Sequence, residues 1–173
     1  IKKIKKKTIF VIEASSYQIE YSQFFKSDVA IITNVYPDHL ERHRTFSNYA
    51  KTKFKLIKNL KKKGICIIKK KNKILNFLIK KHKIKNKIFK IDPLPNKYFI
   101  KKIKNNYFTN INNLENLSFC LKVSEILKIN KRKIIDTIND FIELPYRQQI
   151  IFNNNKLFIM NDSKSTSFSS SMS

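Results

Sequence analysis

The sequence predicts an α/β fold, a mostly parallel sheet flanked by helices, and three observations carry that expectation. Residues 8–13 (TIFVIE), 28–35 (DVAIITNV) and 64–70 (GICIIKK) are short runs rich in Ile and Val. The second reads as a strand buried on both faces of a parallel sheet. Stretches with helical spacing of apolar residues lie between and after these runs, as at residues 73–81. Pro37 ends the second run and places Asp38 and His39 at its carboxyl end. In open α/β sheets that edge is where ligands sit.

Taken in order, residues 8–13 form a strand ending on Glu13, with Ser15, Ser16 and Gln18 on the turn that follows. After the second strand a helix starts near Thr45 or Ser47, either of which can cap it. Tyr49 and Lys53 stand four residues apart and share one face of that helix. Residues 64–70 read as a strand, 73–81 as an amphipathic helix and 87–91 as a further strand before Pro93 and Pro95. Residues 97–108 alternate weakly, as an edge hairpin whose lysines keep the edge from pairing. Residues 113–129, with Leu114, Leu117, Leu121, Ile126 and Leu127, form a helix, and 131–142 a second one. Leu144 before Pro145 marks a domain boundary, since proline disfavours helix in the preceding residue. Residues 148–152 and 157–160 are then paired strands around Asn153, Asn154 and Asn155, a residue type that tolerates positive φ in a hairpin turn.

At 173 residues the chain can bury one good core and the start of a second domain. A formal charge of +25 ordinarily suggests a nucleic-acid partner. Here the lysines are spread along the chain amid Ile, Asn and Phe, so compositional drift in an AT-rich genome is the better account, and no specific nucleic-acid partner is expected. Cys66 and Cys120 lie in apolar runs far apart, which reads as buried, reduced thiols without metal-ligand spacing. No apolar stretch reaches the length of a membrane span, and the basic start is too briefly apolar for a signal peptide. A soluble, cytoplasmic protein is expected, without a membrane partner.

Three stretches resemble a known family: residues 13–20 (EASSYQIE), 27–55 (SDVAIITNVYPDHLERHRTFSNYAKTKFK) and 144–167 (LPYRQQIIFNNNKLFIMNDSKSTS). They are similar to the Mur ligases, and most to the branch that joins D-glutamate to UDP-N-acetylmuramoyl-L-alanine. The NDSK-x-T run after a hairpin is the discriminating piece, since siblings show a His-containing motif there. The resemblance implies an internal fragment: residues 1–143 as part of the central ATP-binding domain, and 144–173 as the start of a Rossmann-like C-terminal domain. Gly64 is the single glycine, so the Gly-rich phosphate loop such an ATPase needs is expected upstream of Ile1. The implied activity is ATP-dependent amide formation through an acyl phosphate, in peptidoglycan precursor synthesis, by a monomer, with the fragment inactive alone. The competing expectation is a non-catalytic basic binding protein that retains the fold and takes nucleic acid.

The resemblance also implies roles for individual residues. Glu13, His39 and Lys53 would hold magnesium at two sites, Lys53 as a carbamate, because an ammonium cannot ligate a cation. Ser15 and Gln18 lie near the nucleotide-sugar substrate. Asn116, the second Asn of an N-x-x-N begun by Asn113, contacts ATP, with Arg147 on its phosphate and Asp162 on its ribose. A guanidinium fork suits phosphate, and a carboxylate accepts from both ribose hydroxyls. Lys164 and Thr166 face the transferred phosphate and the incoming D-glutamate, while Ser165 and Ser167 replace the family's commoner Ala and Asn. By spacing alone Glu13, Lys53, Arg147, Asp162, Lys164 and Thr166 read as ordinary polar turns, strand ends or solvated lysines, while His39 after a buried strand reads equally as a site or a surface residue.

Overall fold

The structure, a computed structural model, describes residues 8–154 and 156–164. They fold as two compact units that divide between Lys90 and Ile91. In the first, α1 (Ser16–Tyr21) precedes β1 (Ser27–Ile32), α2 (Leu40–His43), α3 (Phe46–Lys58), β2 (Leu60–Lys69), α4 (Lys73–Lys81) and β3 (Lys87–Ile91). The sheet order is β1-β2-β3. β1 and β2 run parallel, with Ala30 opposite Cys66 and Ile32 opposite Ile68. A parallel pair requires a crossover, which α2 and α3 supply. Thr45 caps α3 by accepting from the Asn48 N–H, and Asn72 caps α4 by accepting from the Leu75 N–H. The core forms where Tyr49, Ala50, Phe54 and Ile57 of α3 and Leu75 and Leu78 of α4 meet Ala30, Ile32, Cys66 and Ile68. Burial pushes the Cys66 thiol up to about 12.

The start of β2 bulges. The register runs from Ser27 opposite Leu60 to Val29 opposite Ile65, so residues 61–64 loop out against Asp28. Asn86 Nδ2 clamps the loop by donating to the carbonyls of Lys61 (2.9 Å) and Gly64 (3.0 Å). A Cβ on Gly64 would come within 3.0 Å of Leu60 Cδ2 and of the Lys61 carbonyl oxygen. Gly64→Ala is therefore expected to destabilise the fold by about 1–3 kcal/mol, read from urea unfolding midpoints. A variant as stable as the parent would mean the bulge relaxes freely.

The second unit carries α5 (Lys97–Ile100), a 3₁₀ turn (Asn106–Thr109), α6 (Ile111–Ile126), α7 (Lys131–Asn139) and the strands β4 (Gln149–Asn153) and β5 (Phe158–Asn161). Phe99, Leu117 and Ile138 form its core, with Ile103, Phe108, Leu121, Ile134 and Ile135 packed around them. β4 and β5 pair antiparallel as the predicted hairpin, Ile150 opposite Met160. Among the described residues no helix is long and apolar enough to cross a membrane.

Four expectations are corrected. Residues 8–13 form no strand, and Ile9, Phe10, Val11 and Ile12 stand 62–94% exposed. Strand propensity needs a pairing partner, and this segment is not paired into the sheet β1-β2-β3. β1 is shorter than expected and is not covered on both faces, since Ile31 is 38% exposed. Residues 97–108 are helical turns rather than a hairpin. Asn96 accepts from the Phe99 N–H and Asn105 from the Tyr107 N–H, local bonds that compete with a strand ladder. Cys66 is buried but Cys120 is exposed, because on α6 it follows the buried run Leu117–Phe119 and turns away from the core.

Candidate functional site

The first unit gathers its predicted site residues around the carboxyl end of β1 and the start of α1. Ser15 and Gln18, expected on a turn, form the capping box of α1. The Ser15 hydroxyl accepts from the Gln18 N–H (3.3 Å), and Gln18 Oε1 accepts from the Ser15 N–H (2.8 Å) and lies 3.2 Å from its hydroxyl. Glu13 is exposed. With Gln18 it borders a cavity of about 220 Å³, otherwise lined mainly by apolar side chains such as Ile12, Ile19, Phe25 and Leu56.

Past β1, Val35 is buried and the chain turns through Pro37 into Asp38 and His39. His39 is left-handed (φ 51°), and Arg44 at the other end of α2 also has positive φ (63°), which is uncommon for residues that carry a Cβ. Its Nε2 is 3.5 Å from the Asp38 carboxylate and its Nδ1 3.6 Å from that of Glu41. Tyr17 meets the His39 ring edge-on, with centroids 5.1 Å apart, and donates its hydroxyl to Glu41 Oε1 at 3.4 Å. Partial burial and the Glu41 carboxylate raise the Tyr17 hydroxyl above its ordinary value.

Lys53 lies on the Tyr49 face of α3. Its ammonium sits 5.0 Å from the Tyr49 ring centroid and donates to the Asn34 carbonyl at 3.4 Å, just beyond β1. Of the neighbouring lysines, Lys51 is exposed and Lys55 donates to the Glu20 carbonyl at 2.8 Å. Among the described residues no group of three or more His, Cys, Asp or Glu side chains is placed to hold a metal ion. Glu13, His39 and an ammonium at Lys53 therefore do not make a divalent-cation site as they stand. An ammonium cannot ligate a cation, so Lys53 could join such a set only with a carboxylate on its nitrogen.

His43 escaped the sequence reading. It is buried, its Nε2 shares a 3.0 Å hydrogen bond with Ser16 Oγ, and its ring packs against Tyr49 with centroids 5.4 Å apart. The available signal was the spacing of His39 and His43 by four residues, which a helical turn places on one face.

In the second unit, β5 delivers Asp162 and Lys164 to the turn that carries Arg147. Asp162 Oδ1 accepts from the Gln148 N–H (3.1 Å), and the Lys164 N–H donates to the Tyr146 carbonyl (3.0 Å). Tyr146 and Gln148 both have positive φ, so the clipped turn exposes Arg147 between them. Asn116 is exposed on α6, while Asn113 is buried and donates to the Tyr107 carbonyl at 2.8 Å. Thr166, with Ser165 and Ser167, lies outside the described residues.

Comparison with known proteins gives concordant results. The model of the Mur ligase middle domain matches residues 2–145. The UDP-N-acetylmuramoylalanine–D-glutamate ligase of Prochlorococcus marinus (strain MIT 9312) is 33% identical, over 99% of this chain and 40% of that protein. The enzyme of the same name from Buchnera aphidicola subsp. Schizaphis graminum is 32% identical, over 96% of this chain and 40% of its own length. The chain thus spans about 40% of these curated relatives. The crystal structure of MurF from Acinetobacter baumannii superposes with a TM-score of 0.61 at 12% identity, over 85% of this chain and 35% of that one, a likeness of fold.

Proposed function

Because this chain belongs to the Mur ligase family, we propose that it supplies part of a ligase joining D-glutamate to UDP-N-acetylmuramoyl-L-alanine with ATP. The observation that carries the reading is the Lys53 head at the carboxyl end of β1, where the His39 turn begins, in a chain whose relatives bear that name. In the proposed reaction the carboxylate of the muramoyl-alanine attacks the γ-phosphorus of ATP, releasing ADP and forming an acyl phosphate. The amine of D-glutamate then displaces phosphate and loses a proton. Such chemistry needs positioning and charge neutralisation more than covalent help from the protein.

Within that reading Glu13 would help hold one magnesium at the ATP phosphates, and His39 with Lys53, as a carbamate, would hold a second, each ion neutralising phosphate charge when bound. Arg147, on its clipped turn, takes an ATP phosphate, Asp162 the ribose hydroxyls, and Asn116 the nucleotide. Lys164 and Thr166 face the transferred phosphate and D-glutamate, and Ser15 and Gln18 exchange their mutual hydrogen bonds for the nucleotide-sugar substrate. Residues 1–143 and 144–173 are proposed as parts of successive domains of the longer enzyme, working as a monomer in the cytoplasm.

The test is a chimera in which these 173 residues replace the matched segment of the Prochlorococcus relative. Formation of UDP-N-acetylmuramoyl-L-alanyl-D-glutamate from ATP is expected for the chimera and not for the isolated chain. A correctly folded chimera with no turnover would count against the ligase reading, and turnover by the chain alone would refute its being only part of the catalytic unit.

A further inference from the structure

We propose that His43 is a positioning residue that fixes the His39 turn against the start of α1 through its buried hydrogen bond to Ser16. What the positioned groups then do rests on the ligase reading above; the positioning itself does not.

The geometry begins with burial. His43 is 5% and Ser16 3% exposed, so neither polar side chain has ready access to water, and a buried polar group requires a partner. Each is the other's side-chain partner, at 3.0 Å between Nε2 and Oγ. The bond joins residues 27 positions apart in sequence. Ser16 opens α1, directly after Ser15 and two residues before Gln18, and His43 closes α2, four residues after His39.

The His43 ring reaches further. It packs against Tyr17, with centroids 5.9 Å apart, and against Tyr49 on α3 at 5.4 Å. Tyr17 in turn meets His39, and Tyr49 meets the Lys53 ammonium. One imidazole therefore touches all three elements that carry the candidate residues Ser15, Gln18, His39 and Lys53.

α2 needs such an anchor. It is a single turn, too short to hold itself by its own hydrogen bonds, and residues with positive φ bound it at both ends. His43 is its only buried residue. Two other side-chain ties run between α2 and α1, both through exposed bonds: Tyr17 donates its hydroxyl to Glu41 Oε1 at 3.4 Å, and Arg42 reaches Glu20 Oε2 at 3.2 Å and the Tyr21 hydroxyl at the far end of α1. At the first turn of α1 the Nε2 bond is the shorter tie and the buried one.

A residue that merely filled space would behave differently from one that positions through a bond. His43→Phe keeps a ring between Tyr17 and Tyr49 but removes the bond. His43→Gln sets an amide near the Nε2 position and can restore it. Backbone amide NMR spectra of the 173-residue chain read the difference. His43→Phe is expected to shift or broaden the amides of residues 38–44 and 15–18 while those of residues 29–32 and 65–68 in the sheet stay in place. Ser16→Ala should reproduce that pattern, the double variant should add nothing further, and His43→Gln should return most signals toward the parent.

In the chimeric ligase the same series should lower kcat by about 10- to 100-fold for His43→Phe, with partial recovery for His43→Gln and little change in the KM for D-glutamate. Unmoved amides at residues 38–44 in His43→Phe or Ser16→Ala would overturn the proposal, as would His43→Gln as disruptive as His43→Phe. Loss of the sheet signals along with the others would make His43 a packing residue and overturn it equally. A parent chimera without turnover would count against the ligase reading, and the amide comparison would still decide the positioning role.

Discussion

Lys53→Ala in the chimeric ligase is expected to lower kcat by about 100- to 1,000-fold, the usual loss when one preorganised charge at a reacting centre is removed. The proposed carbamate would turn a cation into a hard oxygen donor, and alanine deletes it. The fold should survive. The Lys53 head makes one long hydrogen bond and one ring contact on a half-buried helix face, together worth about 1 kcal/mol or less. Bicarbonate or a short carboxylic acid should restore part of the turnover by occupying the vacated carboxylate position. The neighbours sharpen the test. Lys51→Ala should match the parent in both respects, since Lys51 is exposed. Lys55→Ala should cost about 1 kcal/mol of stability through its lost bond to the Glu20 carbonyl, with turnover kept. Near-parental turnover in Lys53→Ala, or the same large loss in all three, would remove Lys53 from the reaction.

The contrast between these lysines shows what could be read from the chain alone. Helical spacing placed Lys53 beside Tyr49 and turned Lys51 and Lys55 away, and the structure has them so. α4, β3 and the β4–β5 hairpin were equally legible, because an amphipathic stripe, an apolar run and an Asn-rich turn are local signals. Residues 8–13 defeated the same reasoning. Their composition favours a strand, but a strand exists only where another pairs with it, and that is not written in the segment. Residues 97–108 failed for the opposite reason. Two asparagines whose side chains bind nearby N–H groups outweighed a weak alternation.

The site was legible by resemblance and only partly by chemistry. Asp38 and His39 stand out because proline and a strand end frame them. Arg147, Asp162 and Lys164 do not, since nothing local in the sequence says that β5 returns to clip the Arg147 turn through Gln148 and Tyr146. His43 was hidden for a similar reason. Its partner Ser16 is 27 residues away, and a buried imidazole–hydroxyl pair leaves no periodicity to detect.

The charge of the chain separates the ligase from its competitor, a basic protein that binds nucleic acid. A chain with 37 Lys and Arg against 12 Asp and Glu will be drawn to any polyanion at low salt, so binding alone decides nothing. How the cations are arranged does decide. Base-specific or stacking recognition needs exposed aromatic faces among the cations. Tyr98 is exposed, but the ammonium groups of Lys102 and Lys131 each stand 5.5 Å from its ring centroid. Phe77 and Phe89 likewise carry Lys81 and Lys87 over their rings. Those three ring faces are engaged by the protein's own lysines, while others such as Phe24 and Tyr36 are exposed; on the drift account, counterion release from phosphates is the source of affinity. For six to ten phosphate contacts, duplex DNA affinity should fall by about 1,000- to 100,000-fold between about 50 and 200 mM salt. Scrambling the DNA sequence should change it by less than about twofold, since phosphate contacts carry no sequence information. Fluorescence anisotropy with two unrelated duplexes and one single strand across that salt range measures both quantities. Tight binding that persists at about 150 mM salt and distinguishes the two duplexes would overturn the drift account of the lysines and favour the nucleic-acid protein.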